Sequence, residues 1–430
     1  KNIIENAKIQ SRLNFNSAIS FSSFDGIYNK KLSINDINPC RKDAKSTVSW
    51  AVDPSRPGDV SLETVLLNVP AASSLAGDCG PDTPETNWQN VICSQNGFDF
   101  PSNDLKSTGV DFVRHGQNNY AVLTSTGSAA NHDLWLINVN NTSSPIKISS
   151  INTGSSPNDI DVANNYAFIA NNTSSGQLQI VDITDTASLG VIASRSLPGI
   201  GNPFPQAKKI FYYNNRVYIG TLATSGYEFY IFDVSNPGNP LYLGGYELGE
   251  SVRDLVIRSE KISNSTKTLA YVASSASSTS SPELVILDVG NPSSITQIGT
   301  FNAPSATDGT ALYVLGDYVY LGRKGGSGAG DFYILDVSNK AQINLLDTLA
   351  LGLSSGDKVE KIIASGGLAF VATSSGTISL AVLNVANPLD INQISSCNYS
   401  QKIVDFDFDG RYIYIANNDK NGLRIANDNF

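Results

Sequence analysis

"IFDVSNPGNP", residues 231–240, decides how the chain is read. An apolar strand runs into Asp233, then a Val, then a Ser-Asn-Pro turn. The phrase recurs as "VILDVGNPSS" (285–294), "YILDVSNKAQ" (333–342), "AVLNVANPLD" (381–390) and "QIVDITDTAS" (179–188). Aligned on the Asp, the copies place Asn138, Asp182, Asp233, Asp288, Asp336, Asn384 and Asn427 in register, with spacings of 44, 51, 55, 48, 48 and 43 residues. Asp alternates with Asn at this position. Asn keeps a carbonyl acceptor for turn N–H groups but does not ionise, so the position reads as a turn cap rather than an acid–base group.

Around each cap the chain repeats one pattern. A first strand such as "NDIDVAN" (158–164) is followed by a short polar turn and a second strand, "YAFIAN" (166–171). A Ser/Gly/Asn-rich loop leads to a third, "QLQIVDI" (177–183), and a fourth, "LGVIASRSL" (189–197). β-Branched and aromatic enrichment between Asn/Gly turns indicates an antiparallel meander. Four strands in 40–50 residues make one propeller blade. The sequence therefore predicts an all-β chain with a seven-bladed β-propeller over 104–430. A long β-solenoid fits four-strand repeats less well.

"RVYIGTLATSGYEFYIFDVSNPGNPLYLGGYEL" (216–248) and "LAYVASSASSTSSPELVILDVGNPSSITQIGTF" (269–301) resemble the LVIVD-repeat family of β-propellers. That resemblance implies the fold and leaves function open, since propellers host many activities.

The last copy ends after three strands, "KIVDFDF" (402–408), "RYIYIAN" (411–417) and "GLRIAN" (422–427). Its unpaired edge calls for a strand borrowed from upstream. "SLETVLLNV" (61–69) is the expected donor and "STVSWAV" (46–52) the second choice. Residues 31–103 otherwise read as a linker and loop region.

Residues 2–24 place Ile3, Ile4, Ala7, Leu13, Ala18 and Ile19 at loosely helical spacing, so 1–30 is expected to hold a helix. "AKIQSRLNFNSAISFSSFDGIYN" (7–29) resembles the segment that follows the membrane helix in type IV pilin-like proteins. The resemblance implies an apolar anchor upstream, self-association through the helix, and membrane contact only through that upstream part. An ordinary surface helix is the alternative. Met is absent even at position 1, which fits an expected upstream segment.

Composition narrows the function classes. Charged residues are 16% of the 430 and the net charge is −10, which disfavours nucleic acid and anionic membrane. Two histidines, His115 and His132, leave little for metal or acid–base chemistry. Four widely spaced cysteines suit two disulfides in an oxidising compartment. Cys79–Cys93 is the local pairing, leaving Cys40–Cys397; three connectivities are open. Sequons at Asn140, Asn141, Asn171, Asn172, Asn264 and Asn398 permit glycosylation.

Two features carry candidate chemistry. "DFDFDG" (405–410) opens like an EF-hand loop, with Asp405, Asp407 and Asp409 before Gly410, but its twelfth position is Ala416 rather than Glu. Calcium is the one cofactor candidate. Along the first strands, Asp111, Asp159, Lys209, Asp254, Lys361 and Asp405 align, with Ala311 in the fifth blade. This predicts a charge ring in the central channel, either salt-bridged or holding a small polar ligand or cation. No nucleophile triad assembles, and a carboxylate pair for glycoside hydrolysis would be invisible across blades. The sequence thus favours a non-enzymatic extracellular protein, a pilin-like surface or filament subunit displaying an adhesive propeller. A free or anchored propeller binding a ligand, surface protein or glycan is the alternative, and a carbohydrate-active enzyme the third.

Overall fold

A computed structural model describes residues 21–25, 28–38, 41–51, 57–67 and 88–428, with the exception of 127–131, 155, 200–205, 263–264, 304, 306 and 327–329. The chain divides into two units, 1–82 and 83–430.

The first unit is a four-stranded antiparallel meander of Phe21–Asp25, Tyr28–Asn38, Arg41–Ala51 and Pro57–Leu67, paired in sequence order. The expected helix lies outside the described residues up to 20. From Phe21 the backbone is strand, so no helix extends through 21–24. Of the expected linker, the described residues 31–38, 41–51 and 57–67 are sheet as well.

The second unit is the seven-bladed propeller, seven four-stranded antiparallel sheets in a ring. The inner strands are Ser107–His115, Pro157–Ala163, Ala207–Tyr213, Val252–Ile262, Gly309–Leu315, Val359–Ser365 and Ile403–Phe408. Each neighbours the next, and the seventh returns to the first. Tight turns join the first and second strands. In blades 2 and 3 these are Asn164-Asn165 and Asn214-Asn215, all four at positive φ (52°, 67°, 50° and 61°). Two successive left-handed residues match strand twist in a hairpin, and Asn tolerates that conformation.

Burial explains why the repeated phrase is continuously apolar rather than alternating. In the third strand of blade 3, Phe229, Tyr230, Ile231 and Phe232 are all buried. Neighbouring blades cover both faces of this sheet, so odd and even positions alike are withdrawn from water. Each such aliphatic or aromatic side chain contributes about 1.5–3 kcal/mol on full burial. Outer strands keep one wet face and carry the exposed Ile146, Val191 and Leu241.

Closure differs from expectation. The strand added to Leu423–Asp428 is Val91–Phe98, antiparallel to it. Neither 61–69 nor 46–52 is the donor. Their described residues pair with each other inside the N-terminal meander, as in Ser61 opposite Thr47. The disulfide expectation changes with it. Cys93 on the closing strand bonds Cys397 at the end of the outer strand of blade 6, across 304 residues of sequence. The predicted Cys79–Cys93 and Cys40–Cys397 pairings are therefore both incorrect, because closure carries Cys93 alongside Cys397. Cys40 and Cys79 lie outside the described residues. Just upstream, fully buried Trp88 packs edge-on against Phe370 (4.8 Å) and Phe408 (5.8 Å), seating the closing segment between blades 6 and 7.

Candidate functional site at the mouth of the central channel

The repeated Asp/Asn position sits at the end of the third strand. Asp233 Oδ1 accepts the Ser235 N–H at 2.8 Å. Asn138, Asp182, Asp288, Asp336 and Asn384 accept the N–H two residues on in the same way. Hydrogen bonding from Ser235, through side chain and backbone, holds the Asp233 carboxyl below its usual range. Asn427 stands opposite Ile92 of the closing strand.

A second repeated device lies five residues before this cap, and the sequence reading missed it. Asp133, Gln177, Glu228, Glu283, Asp331 and Ser379 are buried there. Each accepts a backbone N–H twenty residues on, from Thr153 (2.8 Å), Leu197 (3.2 Å), Leu248 (2.9 Å), Ala303 (2.7 Å), Leu351 (3.0 Å) and Tyr399 (3.1 Å). The side chain thus ties the exit of the outer strand to the start of the third. A polar residue at constant offset in front of an apolar run was the available signal. In blade 4, Glu283 also meets Arg323 at 3.0 Å, with both side chains fully buried.

The charged inner-strand positions occupy two levels rather than one. Asp159, Lys209, Asp254, Lys361 and Asp405 share a register, opposite Ala170, Gly220, Ala273, Ala372 and Ala416. Blade 5 supplies Ala311 and blade 1 Gly109. Asp111, expected in this ring, lies one level deeper with Asp161 and Asp407. Two-residue steps keep a side chain on the same strand face, which is how the sequence alignment slipped.

These carboxylates fasten blade to blade. Asp159 accepts the Ile210 N–H (3.0 Å), Asp254 the Leu312 N–H (2.8 Å) and Asp405 the Val110 N–H (3.0 Å) of the following blade. At the deeper level, Asp111, Asp161 and Asp407 accept from Val162, Tyr212 and Phe112. The lysines add ion pairs, Lys209–Asp159 and Lys361–Asp405, each at 3.4 Å. Burial first, then repulsion from Asp407 and Asp161, pushes the Asp111 carboxyl well up. Burial likewise raises Asp407 and lifts Asp161 to about 7. Asp111 and Asp407 interact through their carboxyls, the arrangement of two acids too close for both to ionise.

The first residues of the inner strands form the channel mouth. A cavity of about 260 Å³ opens there, with lining residues from all seven blades. Lys208, Lys209, Arg253 and Lys358 line it against a single carboxylate, that of Glu360. Thr310 also lines it; its hydroxyl is buried and lacks a hydrogen-bond partner among the described residues.

The remaining sequence candidates fall elsewhere. Asp409 caps its hairpin, accepting from Arg411 (2.8 Å) and Tyr412 (2.7 Å), apart from the channel carboxylates of Asp405 and Asp407. Among the described residues, no cluster of three or more His, Cys, Asp or Glu is arranged to hold a metal ion. His115 meets Asn165 at 2.9 Å, and exposed His132 meets Ser150. Of the sequons, Asn171 is buried, whereas Asn140, Asn141 and Asn172 are exposed.

Comparison with known proteins agrees with this architecture. The LVIVD repeat model matches residues 154–194, 206–247, 270–303 and 308–349, which lie in blades 2 to 5. No curated protein matches the chain. Among solved structures, a catalytically inactive virginiamycin B lyase from Staphylococcus aureus with quinupristin is similar at a TM-score of 0.52 and 13% identity, over 77% of this chain and 97% of that one. YCF48 bound to a peptide is similar at 0.52 and 12%, over 81% and 100%. At these identities the likeness is one of fold alone. The chain carries LVIVD repeats in blades 2 to 5 of a seven-bladed β-propeller.

Proposed function

We propose that this protein is a non-enzymatic, extracellular ligand-binding propeller, with its recognition site at the channel mouth. The observation that carries the reading is the cavity itself: seven blades contribute to one concave site, and a buried hydroxyl there, that of Thr310, has no partner among the described residues. A concave site with a few convergent polar groups is the usual form of a small-molecule pocket. The Cys93–Cys397 bond suits an oxidising compartment. Binding rather than catalysis is favoured because the channel carboxylates already serve as inter-blade acceptors.

The test is a thermal-shift screen of the purified chain with small sugars, sugar acids and inorganic ions, repeated on Asn418→Trp. Asn418 is exposed and lines the cavity, so the indole obstructs the mouth without entering the core. Hits that disappear in the variant support the reading; hits of unchanged size in the variant contradict it.

A second reading, a pilin-like surface or filament subunit, draws on residues 7–29. It expects an apolar helix encoded upstream and ordered filaments by electron microscopy. Recovery of the mature protein as a free monomer cleaved from a signal peptide would contradict it.

A further inference from the structure

We infer that the channel mouth binds the oxyanion group, carboxylate, phosphate or sulfate, of a small molecule, with Lys208 as its principal anchor. The inference rests on the channel-mouth reading and names the chemistry of its ligand.

The protein as a whole is acidic, at −10, yet its mouth is cationic. Lys208, Lys209, Arg253 and Lys358 converge there. Three of the four have a carboxylate partner. Lys209 meets Asp159 at 3.4 Å, Arg253 meets Asp308 at 3.0 Å, and Lys358 meets Glu360 at 2.7 Å. Lys208 has no carboxylate within ion-pair distance among the described residues; its ammonium reaches only the Asn158 carbonyl oxygen, at 3.4 Å. Burial, followed by Lys358, Arg253 and Lys209, lowers its pKa. An arriving anion would relieve those like charges, and a neutral or cationic ligand would not.

The uncommitted polar groups at the mouth complete the case. Among the described residues the buried Thr310 hydroxyl and the Arg253 Nε–H both lack partners, and both residues line the cavity. Together with Lys208 they offer donors and no unshared carboxylate. Charge-assisted bonds of this kind are about twice as strong as neutral ones. The level beneath holds three carboxylates and two ammoniums, but Asp159, Asp254 and Asp405 are all engaged by backbone N–H groups. Excess positive charge therefore lies at the mouth rather than in the shaft. The four cations within a concave wall also focus the field on an approaching anion.

The experiment is isothermal titration of the full chain with inorganic phosphate, sulfate, glucuronate and, as the neutral counterpart, glucose. Wild type is expected to bind at least one of the three anions, more weakly as salt is raised, and to bind glucose not at all. Lys208→Gln should weaken the anion about tenfold, equivalent to about 1.4 kcal/mol, and Thr310→Val should weaken it as well. Lys147→Gln, on the outer strand of blade 1, should leave it unchanged. Equal binding by wild type and Lys208→Gln would mean an adventitious ion only, and would overturn the inference. So would absence of binding by all three anions. Glucose binding that Asn418→Trp abolishes would overturn the anion while leaving the channel-mouth reading intact.

Discussion

Cys93 is bonded to Cys397, so the strand that closes the ring is covalently tied to the blade beside the one it completes. The linkage spans 304 residues, and the chain-entropy account assigns a loop of that size roughly 6 kcal/mol. Cys93→Ser/Cys397→Ser is therefore expected to unfold at clearly lower denaturant than wild type. Hydrogen exchange should show the loss first in residues 91–98 and 423–428. Equal midpoints for the two proteins would contradict this.

Glu283 and Arg323 form the most deeply buried ion pair in the propeller's described part, with neither side chain exposed. Glu283 also holds the Ala303 N–H. Glu283→Ala leaves a buried guanidinium without its counterion and should cost about 3–5 kcal/mol by urea denaturation. Ser379→Ala removes the neutral acceptor at the equivalent place in blade 6 and should cost about 1 kcal/mol. Similar losses for the two would show that the charge is unimportant there.

Asp233→Asn should change stability by less than about 0.5 kcal/mol, since Asn138 and Asn384 perform the same capping in other blades. Asp233→Ala should cost about 1 kcal/mol, the worth of a typical net hydrogen bond. Indistinguishable variants would remove the cap from the account.

Stability should fall as pH rises from about 4 to about 7. Asp161 lies near 7 in the folded chain, with Asp111 and Asp407 also raised, against about 3.9 unfolded. A carboxyl raised on folding binds its proton more tightly in the native state. Its contribution is complete below the unfolded value and is lost as pH passes the folded one. Asp111→Asn keeps an acceptor for the Val162 N–H and a donor for Asp407, so its melting temperature should depend less on pH. An unchanged slope would contradict the shared-proton arrangement.

The fold was legible because one phrase recurs at blade spacing and its third strand is apolar at every position, as in Phe229–Phe232. The closing strand was not. "SLETVLLNV" patterns strongly as a strand and its described residues, 61–67, are used in a different sheet, whereas Val91–Phe98 buries little beyond Val91. Which strand completes a ring depends on geometry that local pattern does not encode. The same limit hid the Cys93–Cys397 pairing. At the channel, the sequence identified charged inner positions but merged two levels, because Asp111 and Gly109 differ by one full pleat. It did not single out Lys208 or Thr310, since a lone Lys or Thr carries no pattern until seven blades bring it to one mouth. The offset acceptors, from Asp133 to Ser379, were readable in principle and vary enough in type to escape notice.

The most direct measurement of the central claim is a crystal structure of the full chain with glucuronate. The account predicts its carboxylate at the channel mouth, within hydrogen-bond distance of Lys208 Nζ and Thr310 Oγ1. Glucuronate ordered elsewhere on the propeller, with the mouth holding only water, would contradict it.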